Sequence, residues 1–149
     1  MKNLIVTIIM LLCVTSISNA QFSLSTSVGQ GIKINEDFKY EQFQSTIDVV
    51  SAFAFGRFYI GLVALIVLTD STFAFFLGVV PSYDVWKSEE VDRSIGVEAS
   101  VLFGLFGETL LGLGGNFKSD GAIFGINASR ELTNNEWWIQ GTVGYTILK

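Results

Sequence analysis

From Phe22 onward, bulky apolar residues recur at every second position, and the positions between them are mostly small or polar. In the first such segment Phe22, Leu24, Val28, Ile32 and Ile34 share one parity. Ser23, Ser25, Ser27, Gly29, Gly31 and Lys33 share the other. Successive side chains of a strand point to opposite faces, so a period of two predicts a β-strand with one greasy face and one polar face.

Seven more segments follow. A polar stretch, Asn35 to Gln42, is the longest loop candidate. Gln44–Phe55 then sets Ile47, Val49, Phe53 and Phe55 against Thr46, Asp48, Ala52 and Ala54. Gly56-Arg57 suits a tight turn into Phe58–Leu68, which is apolar on both faces. After a break at Thr69–Thr72, Phe73, Phe75, Leu77 and Val79 alternate with Ala74, Gly78 and Ser82. Pro81 has no amide hydrogen to donate, which predicts a bulge or strand end beside it, with Tyr83–Trp86 as an irregular continuation. Arg93–Phe106, Leu110–Lys118, Ala122–Leu132 and Trp137–Leu148 complete a set of eight.

The last four segments carry a register expectation. A three-residue turn at Gly107–Thr109 would set Glu98 opposite Lys118. A two-residue turn at Ser119-Asp120 would set Asn116 opposite Ile123. Four residues at Thr133–Glu136 would set Asn127 opposite Thr142. Each pairing keeps small and polar residues on a common face, as a continuous antiparallel sheet requires.

The first twenty residues read differently. Lys2, the apolar run Leu4 to Val14, and the small residues Ser18 and Ala20 predict a secretory signal peptide cut before Gln21. Residues 1–20 are then the signal and residues 21–149 one β-barrel domain. Cleavage removes Cys13, the only cysteine, so no disulfide framework or thiolate metal site is expected. It also removes Lys2, leaving eight basic against fourteen acidic residues, scattered singly, so no nucleic-acid partner is expected.

Composition turns the pattern toward lipid. Charged residues are 15% of the chain and hydrophobic ones 50%, against a usual charged share of ~25%. A domain this small has no interior large enough for that apolar surface, whereas a barrel facing hydrocarbon has no need to bury it. The expected fold is therefore all-β: a closed, antiparallel, up-and-down, eight-stranded transmembrane barrel. Closure satisfies every backbone group, as a membrane demands. Eight strands leave a lumen that side chains nearly fill, so a plugged barrel is expected rather than an open pore. The reading requires Phe22, Phe103 and Ile126 outside and Ser100 and Thr142 within.

Two other architectures compete with this one. Val49 to Leu68 could form a membrane helix, but Arg57 near its middle would cost ~2.5–3.5 kcal/mol. A soluble, lipocalin-like barrel binding a small apolar ligand would turn the greasy parity inward. Its outer face would then be mostly glycine, serine, alanine and threonine, too poor in charge for water.

Chemistry is sparse. The chain has no histidine, which removes the usual general base and the Ser-His-Asp arrangement. No catalytic residue, cofactor or metal site is expected. Asp48 and Glu98 could be read as paired catalytic carboxylates, but they fall on segments far apart in the circuit. They are expected instead to join Lys33, Lys118, Asn127, Glu131 and Gln140 in an interior polar network that fixes register and fills the lumen. Asn35, Glu36, Asp37, Lys39 and Glu41 form the candidate surface recognition loop. Tyr83, Trp86, Trp137 and Tyr145 lie near strand ends, where interfacial girdles form.

By this pattern the chain resembles the small eight-stranded outer-membrane barrels of Gram-negative bacteria, the OmpA/OmpX-like proteins. The resemblance covers residues 21–149 and rests on alternation rather than on a motif. It implies a non-enzymatic structural or surface-interaction role in the bacterial outer membrane. The implied partners are outer-membrane lipid, the barrel-assembly machinery and an unidentified surface partner. Family members usually end in an aromatic residue, whereas here Tyr145 has the right parity and Lys149 stands last.

Overall fold

A computed structural model describes residues 21–70, 72–88 and 90–148. The expected signal peptide and the chain's last residue lie outside that set. The described chain forms eight strands: β1 (Gln21–Ile34), β2 (Tyr40–Phe55), β3 (Phe58–Leu68), β4 (Phe73–Lys87), β5 (Arg93–Gly104), β6 (Thr109–Ser119), β7 (Ala122–Glu131) and β8 (Glu136–Leu148). Each pairs antiparallel with its neighbours in sequence, and β1 pairs with β8 to close the barrel. Closure leaves no sheet edge exposed.

The faces fall as the alternation predicts. Phe22, Phe103 and Ile126 lie outside, 43, 56 and 65% exposed. Ser100 is buried, and Thr142 lines the lumen. The greasy parity is thus not the interior that a soluble apolar-ligand barrel would need. Nor does a helix cross Val49 to Leu68. That span holds the end of β2, the Gly56-Arg57 turn and β3, with Gly56 at φ 69°.

The doubly apolar segment has a structural cause. Phe58, Ile60, Leu62, Ile66 and Leu68 face outward from β3, while Val63, Leu65 and Val67 face inward. The inward three join Phe76, Leu102, Leu110 and Trp138 in a buried cluster. Phe76 meets Trp138 edge to face, with ring centres 5.7 Å apart. This plug sits in the half of the barrel that carries the connections 35–39, 69–72, 105–108 and 132–135. The other half carries both strand termini and the turns 56–57, 88–92 and 120–121.

Several boundaries differ from expectation. β4 runs through Pro81, which sits opposite Ile60, and the bulge falls later, between Asp84 and Trp86. The polar loop after β1 is only Asn35–Lys39, because β2 already starts at Tyr40. Three hairpin registers also shift. Glu98 faces Gly114, and Lys118 faces Ser94 instead of Glu98. Asn116 faces Gly125 instead of Ile123, and Asn127 faces Gln140 instead of Thr142. The turn residues explain the shifts. Asp120 and Gly121 both take positive φ, 51° and 88°, so they form the two-residue loop one position later than expected. Gly107 at φ 95° and Asn135 at φ 58° set the neighbouring loops in the same way. Every shift is even, so no side chain changes face.

Candidate functional site

The lumen is divided along its axis. At the loop-bearing end Lys33 of β1 reaches Glu136 of β8 at 2.5 Å and Glu41 of β2 at 4.0 Å. Its ammonium also lies 6.0 Å from the ring centre of Trp138. Glu131 stands opposite Glu136 across the β7–β8 ladder and accepts a hydrogen bond from Asn134 Nδ2 at 2.7 Å. These charges cap the apolar plug. Glu41, expected in the recognition loop, belongs to β2 and to this cap.

On the far side of the plug a cavity of 330 Å³ occupies the lumen. Leu65, Leu102, Leu110 and Trp138 form its floor, and Gln21, Lys87, Arg93 and Gly121 lie at its mouth. None of the four connections at the capped end lines it. It therefore opens only toward the end that carries the strand termini. The expectation of a lumen nearly filled by side chains fits the plugged half and fails for this half. Many of the inward side chains here, among them Ser23, Ser25, Ser27, Ala52, Gly61 and Gly125, are too short to meet at the axis.

The polar residues of the cavity wall form separate groups. Asp84, buried just before the bulge in β4, accepts a hydrogen bond from the Tyr59 hydroxyl at 2.7 Å. Lys118 of β6 lies 3.6 Å from the same carboxylate and 4.3 Å from the Tyr59 ring centre. Lys118 was expected beside Glu98. The four-residue connection 105–108 moves it along the wall, and Asp84 takes it instead. Glu98 accepts from Asn116 Nδ2 at 2.9 Å, and Asp48 from the Ser27 hydroxyl at 2.5 Å. Asn127 accepts from Ser129 at 2.5 Å. Gln140 stands opposite Gly31 on one side and Asn127 on the other.

Lys33 and Glu131 thus belong near the capped end, while Asp48, Glu98, Lys118, Asn127 and Gln140 line the open cavity. The seven residues share the inward face but form no single network. Sequence reasoning omitted Tyr59, Asp84, Asn116 and Trp138 from the set. Asp84 was legible, since carrying the parity of Gly78 and Ser82 past Pro81 leads to it. Trp138 was legible too, as the inward neighbour of Gln140. The carboxylate residues Asp48 and Glu98 both line the cavity. They lie on β2 and β5, each with its own neutral hydrogen-bond donor.

The loop Asn35–Lys39 is a compact turn. Asn35 Oδ1 accepts from the backbone amides of Asp37 at 3.0 Å and Lys39 at 2.9 Å. Asn135 Nδ2 donates to Glu36 at 3.0 Å and ties this loop to the one after β7. Phe38 projects from this turn, 77% exposed at φ 58°, a side chain that charge patterning alone did not single out.

No protein-family model and no curated protein sequence matches the chain. Solved structures do match its fold. Neisserial surface protein A is 10% identical with a TM-score of 0.59, covering 85% of this chain and 97% of its own. A structure from the de novo design of transmembrane β-barrels is 15% identical with a TM-score of 0.53, covering 84% and 95%. The solution structure of the de novo designed TMB2.3 is 13% identical with a TM-score of 0.52, covering 85% and 95%. The chain thus has the fold of small eight-stranded transmembrane β-barrels.

Proposed function

We propose that this chain is an exported, non-enzymatic protein of the bacterial outer membrane, with a structural or surface-contact role. One observation carries the reading: the outward face is a continuous apolar belt. Val28, Leu62, Leu77, Leu113, Ile126 and Val143, from six different strands, are each at least half exposed, from 50 to 72%. In water such a belt would far exceed the few hundred Å² of apolar patch that soluble monomers tolerate. Tyr83, Trp86 and Tyr145 rim one end, and Tyr40, Phe73 and Trp137 the other, as interfacial girdles do. Residues 1–20 serve as the export signal in this reading, and the termini face the periplasm after assembly by the barrel-assembly machinery.

The absence of histidine and the neutral hydrogen-bond donors at Asp48 and Glu98 favour a non-catalytic lumen. The cap and plug favour a barrel closed to through-flow. The contact surface of this reading is the Asn35–Lys39 turn, with Glu36, Asp37 and Lys39 around the exposed Phe38. Fractionation of expressing cells tests the proposal. The protein is expected in outer membranes, resistant to alkaline extraction, and with a gel mobility that changes on boiling. Recovery from the soluble periplasmic fraction would overturn it.

A further inference from the structure

We propose that two copies of this barrel dock side by side within the bilayer through the outer face of β1 and β2, with their Gln30 side chains paired across a twofold axis. The inference rests on the membrane reading above. Its ground is that the apolar belt is not uniform around the barrel. Away from the strand ends, the outward positions of β3 to β8 hold only apolar and aromatic residues, glycine or proline. The outward positions of β1 and β2 include Thr26, Gln30, Ser45 and Ser51. The polar side chains of the belt thus lie in one two-stranded sector.

Gln30 is the largest of the four, and it is exposed between Val28 and Ile32 on the outward face of β1. Its depth follows from the ladders. A row of facing residues runs from Leu68 at the capped rim through Ser45, Gln30, Gly141 and Ile126 and on to Tyr83 at the other rim. Gln30 therefore sits within the belt and not at its border. Thr26 satisfies itself locally, its hydroxyl donating to the Asp48 carbonyl at 2.9 Å. The Gln30 carboxamide has no hydrogen-bond partner among the described residues. Acyl chains offer neither donor nor acceptor, and there is no water at that depth. A bare carboxamide there is costly.

The chemistry of the group selects the occupant. A carboxamide carries both donors and an acceptor, so it complements itself. A twofold axis through the sector sets two of them face to face, each N–H donating to the other's carbonyl oxygen. The flanking residues permit the approach. Gly141 faces Gln30 on one side with no side chain, and Ser45 faces it on the other with a short one. A polar group among small residues is what brings transmembrane segments together in lipid, where apolar surface alone does not. Val28, Ile47 and Val143 surround the pair and would pack against the second copy.

The test is energy transfer between donor- and acceptor-labelled barrels in phosphatidylcholine vesicles, with the dyes on D70C in a connection at the capped end. Over a range of protein-to-lipid ratios we expect saturable transfer that fits a monomer–dimer equilibrium. Q30L should need about tenfold more protein per lipid to reach half-association. G141L, which adds bulk beside Gln30 and leaves the carboxamide in place, should weaken association too. V28C should cross-link to a second copy on oxidation, and L113C, on the opposite side of the barrel, should not. Resistance to alkaline extraction and mobility before and after boiling report that each variant is inserted and folded. A wild type that fails to insert would overturn the membrane reading and this inference with it. A wild type that inserts and stays monomeric at every ratio would overturn the inference alone. So would a folded Q30L that associates as well as wild type, or a V28C no more readily cross-linked than L113C.

Discussion

At the residue scale a tight constraint lies at the inward glycines of the β1–β8 seam. A Cβ on Gly31 would run into the carbonyl of Ile139 and lie 2.7 Å from Gln140 Cβ and 2.9 Å from its Cα. Backbone cannot yield as a side-chain tip can. We expect Gly31→Ala to destabilise the barrel by ~1–3 kcal/mol. Gly141 faces outward with nothing nearer than 3.9 Å, so Gly141→Ala is expected to stay within about 0.5 kcal/mol of wild type. Urea unfolding in lipid vesicles, followed by tryptophan fluorescence, compares the two. The alternation identified Gly31 as inward. It could not identify the residue that Gly31 touches, because that depends on the seam between the two ends of the chain.

At the scale of the element, each strand is decided by its period and each pairing by its turn. Leu113, in the middle of β6, is 72% exposed and faces the belt. Leu113→Arg is expected to cost ~2–4 kcal/mol if hydrocarbon solvates that face, and close to nothing if water does. Unfolding equilibria in vesicles separate the cases. The strands and their faces were legible in the sequence because alternation persists over ten or more residues. The registers were not, because alternation is blind to any even slip. Asp120-Gly121 displaced one hairpin by two steps, and the longer connection 105–108 displaced Lys118 from Glu98 to Asp84. The lumen set was therefore readable as a face, while its partnerships awaited the turn geometry.

At the scale of the molecule the lumen is asymmetric: capped and greasy at one end, polar and open at the other. Phe76 and Trp138 close the greasy half against each other. We expect planar bilayers with wild-type protein to show no steady conductance and the F76A/W138A variant to show ion channels. Each truncation also removes buried contacts worth ~3–5 kcal/mol, so boiling-dependent gel mobility must first report a folded barrel. The two-sided apolar character of Phe58–Leu68 already carried this feature, since the inward half of that strand builds the plug. A vessel with a single mouth equilibrates with one compartment only. In the proposed orientation, with its termini toward the cell, this barrel would sample periplasmic solutes and stay indifferent to the medium outside.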